Sequence, residues 1–252
     1  MSMLGLVLEG GAMRGLFTAG VLDVMMENGI AVDGIMGVSA GAAFGCNYKS
    51  NQKGRALRYN KRFCKEWRYA SFRSWLLTGD LYGEDFCYRR VPLELDVFDS
   101  KAFAASPCAY YAVCTDVETG LPVYAKCDKG DERDLRWIQA SASMPLASRM
   151  VMIDGRPMLD GGISDSIPLK KMQQLGYERN IVILTQPEGY RKQPNKLVPL
   201  MRLFYRRYPA LPETLARRHD AYNAQLDYVS ACEEQGNTLV IRPEMKLAVS
   251  SP

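Results

Sequence analysis

Gly37-Val38-Ser39-Ala40-Gly41 places a serine between two glycines, where a short apolar run meets a stretch of small residues. The pattern G-x-S-x-G fits a sharp strand-to-helix turn with the hydroxyl exposed, Gly37 and Gly41 relieving the crowding that a Cβ would cause. A helix starting just behind Ser39 presents N–H groups and a partial positive charge to a developing oxyanion. The chemistry indicated is acyl transfer with Ser39 as nucleophile; the same residues also read as a plain turn with Ser39 as helix cap.

A serine hydroxyl is a weak nucleophile and needs a neighbouring base. The chain has one histidine, His219, set in a helical stripe four residues after Leu215 and three before Tyr222, where a histidine is more often a packing residue. With histidine set aside, Asp160 is the best-placed base. It closes an apolar run and is followed by Gly161 and Gly162, which permit close backbone approach, and an ionised carboxylate within hydrogen-bond reach can accept the serine proton. Asp-Gly-Gly alone is equally a simple turn. A third element is Gly10-Gly11-Ala12-Met13-Arg14-Gly15. Ala12 breaks the dinucleotide spacing G-x-G-x-x-G, and no Gly-Lys-Ser/Thr follows. The N–H groups of such a turn can instead nest a phosphate or an ester oxyanion, with Arg14 as a fixed positive charge or a loop brace.

Elements to hold these residues follow from periodicity. Residues 3–8 read as a strand, followed by a glycine turn and a helix with Phe17, Val21, Val24 and Met25 on one face. Residues 34–38 read as a buried strand running into a tightly packed helix at 40–43, so the first fifty residues are βαβα and favour a parallel sheet covered by helices. Hairpins are expected from 110–117 and 122–127 around Glu118-Thr119-Gly120, and from 151–153 and 157–159 around Asp154-Gly155. Helices are expected over 132–142 with Asp131 as cap, 167–175 and 209–235, and strands over 180–186 and 237–243. Residues 59–88 are dense in aromatics interleaved with Arg and Lys. They suit either a core or a lipid-facing lid, as does the cationic amphipathic stretch 201–208.

Taken in order, GGAMRG (10–15), GVSAG (37–41) and DGG (160–162) resemble the oxyanion loop, nucleophile elbow and catalytic aspartate of the patatin-like phospholipases. Ala140-Ser141-Ala142-Ser143-Met144-Pro145, Pro168 and TGDLYG (78–83) add to the resemblance, which covers roughly residues 3–185. It implies a Ser39–Asp160 dyad without histidine, an acyl-enzyme, and an oxyanion held by N–H groups of the loop Gly10, Gly11, Ala12, Arg14 and Gly15. It also implies a lipid ester substrate of the phospholipase A or lysophospholipase kind. The departure is Ala12, where the family commonly has a third glycine.

The expected architecture is a single α/β domain over 1–252, with a mainly parallel central sheet flanked by helices on both faces. Its core motifs lie in 3–185 and a helical extension spans 190–252. The 252 residues carry a net charge of +4 and are 47% apolar, an ordinary soluble composition too weakly basic to suggest nucleic acid. Seven scattered cysteines without a C-x-x-C pair give neither a disulfide framework nor a zinc site and suit a reducing, cytoplasmic setting. No signal peptide, membrane-spanning run or acidic calcium loop is read, so neither metal nor cofactor is expected and lipid contact would be peripheral. The sequence leaves open the physiological lipid, hydrolysis against acyl transfer, the oligomeric state and whether Ser250-Ser251-Pro252 is a native end. Two other readings compete: a catalytically silent lipid-binding or scaffold protein, and an esterase or acyltransferase using His219.

Overall fold

In a computed structural model, residues 2–249 are described; Met1 and the terminal Ser250-Ser251-Pro252 lie outside them. Strand β1 (Leu4–Leu8) leads through a tight turn (Ala12–Arg14) into α1 (Gly15–Glu27), and β2 (Gly34–Val38) leads directly into α2 (Ala40–Lys49). The next region folds as α3 (Arg55–Phe63), α4 (Phe72–Thr78), a wide π-helical stretch (Phe86–Leu95) and α5 (Ser100–Ala105). Strands β3 (Ala109–Asp116) and β4 (Pro122–Lys126) precede α6 (Glu132–Ser141), and β5 (Val151–Ile153) and β6 (Arg156–Asp160) form the second hairpin. The chain closes with α7 (Leu169–Gln174), β7 (Arg179–Ile183), α8 (Val198–Phe204), α9 (Ala210–Glu234) and β8 (Thr238–Ile241).

These strands make one mixed sheet. β3, β2, β1, β7 and β8 are mutually parallel neighbours in that order, while β4 and β6 pair antiparallel to β3. Parallel strands covered on both faces must be apolar throughout, and β2 accordingly has no exposed residue. Leu6, Leu8, Ile35 and Tyr110 pack toward α1, α2 and α6; Val7, Met36, Val38 and Val182 pack toward α7 and α9. The sheet is therefore flanked by helices on both faces. The 190–249 segment is tied into the same sheet, since β8 pairs with β7 in register Asn180–Thr238 to Ile183–Ile241.

Register explains how residues 121 positions apart in sequence come together. β2 pairs with β3 up to Val38 opposite Val113, and β6 pairs with β3 from Asp160 opposite Cys114. Because β4 covers Tyr111 to Thr115 of β3, β2 and β6 must share the other edge. They run toward each other along it and end at adjacent rungs, so Ser39 and Asp160 meet there.

Two expectations need correction. Val24 is 56% exposed: the buried stripe of α1 is Gly15, Thr18, Ala19, Leu22 and Met25, and Val24 falls on the far side of it. The aromatic segment 59–88 is neither all core nor all lid. Tyr59, Phe63, Tyr69 and Phe86 are buried together under α1 and α2, with Phe63 and Phe86 edge to face at 5.3 Å, whereas Phe72, Leu76 and Leu77 of α4 are exposed.

Candidate acyl-transfer site

Ser39 sits at φ 55°, ψ −122°, a backbone conformation that a side-chain-bearing residue adopts only under constraint. The neighbours that enforce it leave no room for larger residues. A Cβ on Gly37 would lie 2.7 Å from the Ala42 backbone, and one on Gly41 would lie 2.5 Å from the Leu8 carbonyl oxygen. The Ser39 hydroxyl makes no capping bond to α2, so the plain helix-cap reading does not hold. Its backbone N–H donates instead to Ser141 Oγ (2.9 Å), which donates in turn to the Val113 carbonyl (2.6 Å).

Asp160 is held just as firmly. Its N–H donates to the Ser143 carbonyl (2.8 Å), its carbonyl accepts from Thr115 Oγ1 (2.8 Å), and its carboxylate accepts from the Gly162 N–H (2.7 Å). Gly161 passes directly over β3, where an added Cβ would stand 2.1 Å from the Val113 carbonyl oxygen. Both site residues are buried, Ser39 8% and Asp160 5% exposed. Burial raises the Asp160 pKa, opposed by the facing Ser39 hydroxyl, by Arg218, by the Gly162 N–H and by Lys192. The outcome is a carboxylate more basic than usual beside a serine.

The glycine loop completes the arrangement. A Cβ on Gly10 would lie 2.8 Å from Ser39 Cβ, so this backbone runs in contact with the serine. Ala12 has φ 47°, a conformation that suits glycine, which gives a physical reason for the family's preference there. Gly15 abuts Ala40 of α2, fixing the turn against the elbow. The N–H groups of Gly10 and Gly11 donate to no acceptor among the described residues. Arg14 Nε is buried without a hydrogen-bond partner.

From Ser39 a cavity opens beneath α2, lined by residues such as Phe44, Tyr59, Tyr88, Val91 and Met144. Its mainly apolar lining suits a small-molecule or acyl-chain site. His219 stands apart from this arrangement, with Nδ1 3.0 Å from the Ala216 carbonyl and Nε2 3.3 Å from Asp220, both on its own helix.

Several site residues were absent from the sequence reading. Glu9, 3% exposed, accepts from Tyr222 Oη (2.6 Å), the Thr185 N–H (2.6 Å) and Thr185 Oγ1 (3.1 Å), and burial raises its pKa. Lys192 and Arg218 both act electrostatically on Asp160. The only sequence signal for any of these is Glu9, an acidic residue ending a fully apolar strand.

Residues 6–172, well over half of the chain, match the family described as Patatin-like phospholipase. The chain belongs to the patatin-like phospholipase family. Residues 208–251 match a domain of unknown function, DUF6363, so in this patatin-like chain the second match covers all of α9 and β8. The uncharacterized protein YjjU of Escherichia coli (strain K12) is 32% identical over 190 residues, 73% of this chain and 52% of that protein. Lysophospholipase NTE1 of Kluyveromyces lactis is 29% identical over 179 residues, 68% of this chain and 12% of that protein. Lysophospholipase NTE1 of Scheffersomyces stipitis is 25% identical over 256 residues, 95% of this chain and 16% of that protein. The chain thus spans about half of the bacterial relative and a small part of the fungal ones.

Proposed function

We propose that this chain is a serine acyl-ester hydrolase of lipids, with lysophospholipids or phospholipids as substrates and Ser39 and Asp160 as its catalytic pair. The observation that carries the reading is the junction of β2 and β6 on one edge of β3, which sets a strained serine against a buried carboxylate with a glycine loop in contact. The names of the fungal relatives support the substrate class.

In this reading Ser39 Oγ attacks the ester carbonyl carbon while its proton passes to the Asp160 carboxylate. N–H groups of the Gly10–Gly15 loop and the α2 N-terminus hold the oxyanion. Collapse breaks the carbon–oxygen bond to the alcohol, which leaves with the proton from Asp160, and an acyl-Ser39 ester remains. Water then attacks that ester and gives a proton to Asp160; on collapse the fatty acid departs and the proton returns to Ser39. The cavity beneath α2 takes the acyl chain.

The protein would work from the cytoplasm at a lipid surface without crossing it. No helix among the described residues is long and apolar enough to span a membrane. Two exposed apolar patches, Phe72, Leu76 and Leu77 on α4 and Leu203 and Phe204 on α8, flank one loop. Trp75 Nε1 donates to the Leu146 carbonyl (2.7 Å) and Tyr205 Oη accepts from the Leu146 N–H (3.2 Å), and Met144 of that loop lines the cavity. Interfacial aromatic and basic residues suit such contact.

Fluorophosphonate labelling with p-nitrophenyl ester hydrolysis tests the reading. Label and turnover should vanish in Ser39→Ala, and turnover should survive in His219→Ala. Loss of activity in a folded His219→Ala protein would overturn the dyad, and an unlabelled, inactive wild type would leave a binding role.

A further inference from the structure

On the α9 face of the site, Lys192, Arg218 and Arg14 gather around the buried carboxylates of Glu9 and Asp160. The carboxylates do not consume these cations. Glu9 takes its hydrogen bonds from Tyr222 and Thr185, and Asp160 takes one from the Gly162 N–H and faces the Ser39 hydroxyl, all neutral groups. None of the three basic side chains forms an ion pair among the described residues, although many other arginines of the chain do. Arg218 Nε donates to the Gly162 carbonyl, which holds the guanidinium against the Asp-Gly-Gly turn. Lys192 Nζ lies 4.4 Å from the centre of the Tyr222 ring, and its backbone is clamped on both sides by Asn223, at 2.9 and 3.1 Å. Arg14 Nε is buried and unpartnered.

Three half-buried cations against two carboxylates leave an excess of positive charge, which an anion joining them would offset. The acyl cavity leaves Ser39 on the opposite, α2 side, and none of these cations lines it. An ester carbonyl at Ser39 would therefore have an apolar compartment on one side and a cationic one on the other. We propose that Lys192 and Arg218, with Arg14, form a binding site for the phosphate group of a phosphate-bearing substrate, which selects phosphate esters of acylglycerols over neutral glycerides. This inference rests on the hydrolase reading above and names the feature of the substrate's alcohol part that the site recognises.

Burial, with Arg218 and Arg14 close by, pushes the Lys192 pKa down to about 8, while Glu9 and Asp160 act in the opposite direction. The ammonium is present below that pH and lost above it, so phosphate recognition should weaken as pH rises through about 8. Lys192→Arg, which stays charged, should retain recognition at pH 9.

The test has two arms. In the first, kcat/KM is measured for lysophosphatidylcholine and for the monoacylglycerol with the same acyl chain. Wild type should favour the phosphate ester, Lys192→Gln should lower that ratio about tenfold through KM, and Lys192→Arg should restore it. In the second, binding of sn-glycerol 3-phosphate and of inorganic phosphate to Ser39→Ala protein is followed by calorimetry, which needs no turnover. Binding about tenfold weaker in Lys192→Gln supports the site, and tighter binding of the glycerol ester than of inorganic phosphate assigns it to a lipid headgroup. Absence of phosphate binding, an unchanged ratio, or a fall in kcat on both esters alike would overturn it, the last because the cations would then only assist Asp160. If no ester is turned over but phosphate binding still depends on Lys192, the hydrolase reading fails and the anion site stands.

Discussion

Residues 55–98 and residues 190–226 approach the Ser39–Asp160 junction from opposite faces of the sheet and bring different chemistry to it. The first region buries Tyr59, Phe63, Tyr69 and Phe86 against α1 and α2 and leaves an open cavity reaching Ser39. The second contributes no residue to that cavity. It supplies Lys192, Arg218 and Tyr222, which act on Asp160 and Glu9. Apolar packing tolerates an unfilled cavity, whereas buried charges must be compensated by neighbouring polar groups. The serine lies at the boundary of these two environments, and an amphipathic ester would find each of its halves matched.

Removing the charge of Asp160 tests the charged side most severely. Asp160→Asn should lower kcat on any ester by on the order of 10³-fold, because the proton acceptor is gone. The same change should stabilise the fold by roughly 1 kcal/mol at pH 8, or about 3 °C, because a buried charge is removed. The sign follows from the raised pKa. Between the ordinary carboxylate value of 3.8 and the higher folded value, the folded state keeps a proton that the unfolded state has lost, so stability falls as pH rises through that window. Asp160→Asn should flatten this part of a melting-temperature profile, and a wild-type profile that rises there would contradict the assignment. On the apolar side, Val91→Phe should narrow the cavity. It should lower kcat/KM for a sixteen-carbon ester against a four-carbon ester by about 30-fold, and equal loss on both would mean that the cavity does not take the acyl chain.

How much of this could be read from the sequence differs between the regions for a physical reason. The strand-turn chemistry was local: Gly37, Gly41 and Gly161 are small because a backbone passes within contact distance, Gly162 because the side chains of Asp160 and Arg218 do, and each stands beside the residue it serves. All eight strands followed from apolar runs and turn residues, and Asp131 caps α6 by accepting from the Asp134 N–H at 3.0 Å. Helices α3, α4 and α5 were not assigned: the buried face of α3 has helical spacing but includes the polar Arg55 and Asn60, and α4 and α5 are only seven and six residues long. Val24 was misplaced because an apolar side chain at helical spacing need not lie on the buried stripe. Nothing in the sequence showed that β2 and β6 share one edge of β3, since that depends on which strand β4 covers. Glu9, Lys192, Arg218 and Tyr222 carry no motif at all, being brought together only by the packing of α9 on the sheet.

A matched pair of hydroxyl deletions gives the smallest effect and the finest test of the contrast. Tyr69 Oη donates to Asn60 Oδ1 at 2.8 Å on the cavity side, and Tyr222 Oη donates to Glu9 Oε1 at 2.6 Å on the charged side. Both tyrosines are buried, so Tyr→Phe removes similar volume and leaves a buried acceptor short of one donor in each case. The acceptors differ in charge. Losing a neutral bond should lower stability by about 1 kcal/mol and losing a charge-assisted one by about 2 kcal/mol, or about 3 °C against about 6 °C in melting temperature. Burial raises the Glu9 pKa, so in acid Glu9 gains a proton and the penalty of Tyr222→Phe should shrink toward that of Tyr69→Phe. Equal losses at neutral pH would mean that Glu9 is already protonated there, and the α9 side would then hold one buried negative charge, that of Asp160, among its three cations.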